Sequence, residues 1–142
     1  MQNAPNNNTP HEDLLQAAQA VRENAYAPYS NFQVGAAILA ADGQIYVGCN
    51  VENAAYPAGQ CAESSAISAM VAGGSLEIRQ ICIVKKGGGR VAPCGGCRQK
   101  LNEFAAADVP IFVQGEDGDL QSYTLGELLP VAFGKENLET DK

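Results

Sequence analysis

Positive charge is scarce in this chain, histidine is nearly absent, and no apolar run is long. Nine lysines and arginines stand against 16 aspartates and glutamates in 142 residues, a formal net charge of -7. Surfaces that capture nucleic acids draw their affinity from clustered cations, so the charge balance argues against a long polymer of phosphates as a partner. No stretch approaches the roughly 20 apolar residues of a membrane span, which excludes a bilayer helix. The single histidine, His11, lies in a polar leader and reads as a surface residue, not a metal ligand. Residues Met1 to Leu14 lack the basic start and apolar middle of an export signal, so the cytoplasm is the expected location. Five cysteines are an odd number, and in a reducing compartment they read as thiols or metal ligands before disulfides.

What is present is an ordinary globular composition, 46% hydrophobic and 18% charged. The length suits a single domain, 1–142, with a polar leader (1–9) and a tail (139–142) expected to be flexible. A chain of this size buries about 70% of its unfolded surface and needs no disulfide scaffold. Thr9-Pro10-His11-Glu12 has the form of a capping box, and Leu14, Leu15, Ala18, Val21 and Ala25 give one apolar face to a helix over about 10–25. A loop with two tyrosines follows. Residues 34–39 and 45–49 flank Asp42-Gly43 and predict a hairpin. Ala62, Ala66, Ile67, Met70 and Val71 predict a helix that stops at Gly73-Gly74, with Cys61 at its start. Ile81 to Val84 is a continuous apolar run, expected as a central strand. A helix over 97–107, strands at 109–113 and 120–124, and a short helix over 125–129 complete an α/β order. One mixed five-stranded sheet between helices, a three-layer α-β-α sandwich, satisfies it.

The chemistry concentrates at Cys61, Cys94 and Cys97. A Cys-x-x-Cys turn lets two sulfurs converge on a tetrahedral ion, and helix N-termini stabilise thiolates. Zinc suits such ligands, and three of them leave its fourth position open. Glu63, two residues after Cys61, falls within reach of a water at that position, where a carboxylate can carry protons. Alternatives stay open on spacing alone: a redox pair, a structural zinc site, or an ordinary carboxylate at a helix start. Cys49 and Cys82 lie in apolar strands and read as small buried hydrophobes. Gly87-Gly88-Gly89 lacks the Gly-Lys-Ser/Thr ending of a phosphate loop and reads as a flexible turn.

Cys61-Ala62-Glu63 and Pro93-Cys94-Gly95-Gly96-Cys97-Arg98-Gln99 resemble the zinc signature of cytidine deaminases, in their small three-cysteine branch. Residues 28–37, 48–54, 127–130 and 133–134 resemble that family's segments in the same order, so the likeness runs from about 13 to 138. It implies one Zn2+ per subunit and hydrolytic deamination of cytidine and deoxycytidine to uridine and deoxyuridine, with Glu63 as proton carrier. It also implies Asn50 and Glu52 as the pair that reads a ribose hydroxyl, Phe32 packed on the pyrimidine, and Tyr29 and Tyr56 as further pocket residues. The Ala62 amide is implied to face the reacting oxygen, and the Cys94 carbonyl region the departing amine. Phe133 is implied to reach a neighbouring subunit's site in a homotetramer. Relatives commonly carry Arg after the catalytic glutamate, where this chain has Ser64, so Arg98 is expected to donate to the sulfurs or to the site's net negative charge, with Ser64 adding a weaker hydroxyl bond. A deaminase of modified nucleosides, one acting on bases in nucleic acid, and a zinc-stabilised binding protein are the competing functions.

Overall fold

The computed structural model describes residues 10–139. The capping role expected of Thr9 and the flexibility expected of residues 1–9 and of the tail past Glu139 lie outside that range. Five strands, β1 (Val34–Ala40), β2 (Ile45–Cys49), β3 (Ile78–Lys85), β4 (Pro110–Gln114) and β5 (Leu120–Thr124), form one sheet in the order β2-β1-β3-β4-β5. The β1–β2 and β4–β5 hairpins are antiparallel, β1 and β3 are antiparallel, and β3 runs parallel to β4. The apolar run at Ile81 is therefore central, as expected, within a strand that begins three residues earlier.

Period-two alternation divides the core between the two faces of the sheet. Val34, Ala36, Ile38, Ile81, Ile83, Ile111 and Val113 pack with residues of α2 (Ala62–Ala72), α3 (Gly95–Phe104) and α4 (Leu125–Leu128). Ala37, Cys82 and Val84 face the other way, onto Leu14 and Ala18 of α1 (Pro10–Arg22). This is the three-layer sandwich. α1 ends at Arg22, short of the expected 25, because Glu23, Asn24 and Ala25 close only tight turns and the next amide, Tyr26, bonds to the Asn50 carbonyl. α3 starts at Gly95 and stops at Phe104, since Ala105 is extended and Ala106 and Ala107 turn the chain into β4, accepting from Val109 and Gly126.

Gly48 fixes how closely α2, which carries the site, lies on the sheet. A Cβ there would stand 2.3 Å from the Ala66 nitrogen and 2.6 Å from the Ala62 carbonyl oxygen, both main-chain atoms that cannot swing aside. Gly48→Ala should therefore push α2 outward and destabilise the fold by about 1–3 kcal/mol, read as a lower urea midpoint. An unchanged midpoint would show that the helix has room to move.

Candidate metal centre and active site

Two helix starts bring the sulfurs together. Cys61 caps α2 and Cys94 caps α3, both with extended backbones, while Cys97 lies in the first turn of α3. The three sulfurs lie within 4.8 Å of one another. Sulfurs bound at about 2.3 Å to a tetrahedral zinc stand roughly 3.8 Å apart, so the trio fits that ion with a small adjustment of side chains. Its donor chemistry fits too, since the soft thiolates suit zinc.

The protein alone holds this cluster at an electrostatic cost. Burial pushes the thiols of Cys61 and Cys97 above their ordinary value, and the neighbouring Glu63 carboxylate pushes in the same direction. Cys94 is held below it because the Cys97 amide favours its thiolate, although no conventional capping hydrogen bond closes there. A divalent cation among the sulfurs would supply the missing positive charge. Cys82, by contrast, sits in the central strand facing α1, where burial pushes its thiol to about 12. Cys49 is half-buried in β2. Neither belongs to the metal cluster; Cys82 is the buried filler expected from the sequence, whereas Cys49, on the more open β2, is less covered than expected.

Glu63 is 5% exposed, and burial raises its carboxyl above the usual carboxylate range, while a hydrogen bond with Cys97 works against that rise. It lines a cavity of about 200 Å³ with Cys61, Ala62, Cys94, Phe32, Val34, Asn50, Val91 and Ala92. Ala62 is the first residue of α2, so its amide is one of the free donors at the helix start. The cavity thus joins two sulfurs, one carboxyl, one free amide and an apolar wall.

The other expected pocket residues are placed differently. Asn50 donates to the Phe32 carbonyl at 2.7 Å and accepts from the Val34 amide at 2.9 Å, so it fixes the aromatic beside the cavity and keeps one N–H for a ligand. Asn31, at φ 57°, takes the left-handed turn before Phe32 that asparagine tolerates. Glu52 accepts from the amides of Tyr29 and Ser30 and from the Ser30 hydroxyl, which together hold its carboxyl below the usual range. With Tyr29 and Tyr56 it borders a separate cavity of about 360 Å³, where the two tyrosine rings meet edge to face. Phe133 is 57% exposed and lines neither of these; Gln99 and Asn102 of α3 both donate to its carbonyl.

Arg98 corrects an expectation. Its Nε donates to the Pro93 carbonyl and its Nη1 to the Leu128 carbonyl, each at 2.8 Å, in place of a bond to sulfur. A helical side chain points back towards the N-terminus, and that direction takes the guanidinium to the turn before Cys94. Arg98 braces the metal turn through its main chain. The cation opposite Ser64 is instead Lys100, whose Nζ donates to the Ser64 hydroxyl at 3.2 Å and favours the Glu63 carboxylate. Sequence inspection missed it because the pair is separated by 36 residues. Lys100→Met should weaken zinc retention about two- to fivefold in competition with a chelator, the modest size reflecting an exposed charge. Unchanged retention would remove Lys100 from the site's charge balance.

Comparison with known proteins agrees with this geometry. The family model for the cytidine and deoxycytidylate deaminase zinc-binding region matches residues 8–113. A cytidine deaminase of Sporosarcina psychrophila is 44% identical over 127 residues, covering 89% of this chain and 93% of that protein. One from Halalkalibacterium halodurans is 42% identical, covering 88% and 95%. The crystal structure of cytidine deaminase from Burkholderia pseudomallei superposes with a TM-score of 0.82 at 42% identity, covering 88% of this chain and all of that one. Shared fold, shared sequence and a sulfur trio suited to zinc lead to one conclusion: the chain belongs to the zinc-dependent cytidine deaminase family.

Proposed function

We propose that the protein hydrolyses the exocyclic amine of cytidine and deoxycytidine, releasing ammonia and leaving uridine or deoxyuridine. One observation carries this reading: Glu63, the first free amide of α2 and two of the three clustered sulfurs border the same small cavity as Phe32 and Asn50. Cys61, Cys94 and Cys97 would hold the zinc, which when bound supplies a water acidified towards a pKa of about 7. Glu63 takes the proton from the attacking water and gives it to N3 of the ring, which makes C4 electrophilic. The same carboxyl then passes the remaining proton to the departing amine, so one water is consumed for each ammonia released. The Ala62 amide steadies the oxygen arriving at C4, and the Cys94 carbonyl region receives the amine. Phe32, Val34, Val91 and Ala92 give the ring an apolar wall.

Asn50 and Glu52 are assigned to the ribose hydroxyl. What supports this is that Asn50 keeps a free N–H on the cavity wall, and that Glu52 is already ionised and fixed in place by three donors. The working state is read as a homotetramer in which Phe133 covers a neighbour's pocket. Its support is the way α3 pins the Phe133 backbone while the ring stays exposed and apart from its own chain's Glu63 cavity. A tetrameric mass in sedimentation would agree. Among the described residues no helix is long and apolar enough to cross a membrane. The net charge of -7 disfavours a nucleic-acid substrate, and a cytoplasmic place in pyrimidine salvage suits a free nucleoside. The test is direct: purified protein incubated with cytidine should shift the ultraviolet spectrum to that of uridine, and a chelator should stop it. Absence of turnover by zinc-loaded protein would overturn the reading.

A further inference from the structure

We propose that Gln114, at the end of β4 and outside the catalytic cavity, is the positioning residue that sets the wall against which the pyrimidine fits. The proposal rests on the deaminase reading above. Gln114 is 6% exposed, and its whole amide is spent on the end of β3 and the loop that follows. Its Oε1 accepts from the Lys85 amide at 3.2 Å, while both N–H groups of Nε2 are used, on the carbonyls of Gly87 and Gly89 at 2.9 Å each. The Gln114 main-chain carbonyl accepts from the Val91 amide at 3.0 Å. One residue therefore holds the chain at 85, 87, 89 and 91.

Besides Gln114, the Lys86 amide anchors the segment, donating to the Gln33 carbonyl at 2.9 Å. Gly87 and Gly89 have φ of 82° and 97°, conformations glycine adopts freely and also leaves freely. A side chain added at Gly87 or Gly88 would meet nothing within 4 Å, and one at Gly89 would touch only the flexible end of Lys85 at 3.4 Å, so packing does little to fix the loop. Ordering three consecutive glycines costs conformational entropy, and the buried amide offsets it. One end of the clipped segment lines the cavity, and the other packs on a residue that lines it. At one end Val91 and Ala92 line it, together with Glu63. At the other, the Lys85 ammonium lies 5.3 Å from the centroid of the Phe32 ring, which lines it too.

The metal turn has its own brace, Arg98 on the Pro93 carbonyl. Two separate anchors mean that substrate fit and metal retention can be uncoupled. Gln114→Met keeps the length and bulk of the side chain and the main-chain bond to Val91, but removes the three side-chain bonds. In the zinc-loaded enzyme it should raise KM for cytidine about tenfold with kcat within roughly threefold of the parent, the pattern of lost uniform binding. Zinc per chain should stay unchanged, and the amides of 86–91 should exchange hydrogen faster. KM unchanged, or kcat, zinc content and KM failing together as in general destabilisation, would overturn the proposal. Should Gln114→Met not fold, Gln114→Asn, which draws the amide back by one methylene, is read by the same outcomes, and uridine should slow exchange of 86–91 in the parent enzyme; no slowing overturns it. A parent enzyme inert towards cytidine defeats the deaminase reading and this assignment with it, whereas an active parent with an unaltered variant KM defeats this assignment alone.

Discussion

Glu63→Gln should lower turnover of cytidine by roughly 10²- to 10⁴-fold while zinc stays bound. Glutamine keeps the shape of glutamate and its place in the first turn of α2, so the fold and the sulfur cluster have no reason to change. What disappears is the capacity to accept and return a proton. Among the described residues Glu63 is the sole carboxylate lining the cavity, and the other ionisable groups on its wall are the ligands Cys61 and Cys94. No neighbour can inherit the role. The residual rate measures what binding and the metal achieve without a proton carrier. Steady-state kinetics on protein of known zinc content decide the matter. A near-parental rate would move proton transfer elsewhere.

Cys97→Ala should release the metal and abolish activity, with zinc affinity falling by orders of magnitude because, among the described residues, only two sulfurs of the cluster remain. Cys97 is 1% exposed and its sulfur sits against both Cys61 and Glu63, at the inner side of the cluster. Cys82→Ala is the contrasting change. That thiol is just as buried but faces α1, and its loss should cost only about 1–2 kcal/mol of stability with zinc and turnover retained. Metal analysis and urea unfolding of the two proteins separate ligand from filler. Equal zinc content in both would contradict the assignment.

The site was legible in the sequence where its geometry is local. Cys94 and Cys97 share one helical turn, and Cys61 and Glu63 share another, so spacing alone aims each pair. The β1–β2 hairpin and the central run of β3 were legible for the same reason, since an Asp-Gly turn and a continuous apolar run are local signals. Features that depend on distant partners were not. α1 unwinds at Arg22 because Tyr26 finds Asn50, and nothing near residue 22 announces that pairing. Arg98 beside Cys97 suggested a bond to sulfur, but side-chain direction in a helix sends it to Pro93 and Leu128. Lys100 and Gln114 look like ordinary surface-helix and strand-end residues until the fold brings Ser64 and the triglycine loop to them. Asn50 and Glu52 were legible as a polar pair, yet their first commitments prove to be to the backbone of 29–34.

Zinc-edge X-ray absorption on the purified enzyme examines the coordination sphere on which everything above depends. Three sulfurs at about 2.3 Å with one oxygen or nitrogen at about 2.0 Å is the expected shell. Four sulfurs, or fewer than three, would mean that the ion is closed off or held elsewhere, and would contradict a hydrolytic centre at Cys61, Cys94 and Cys97.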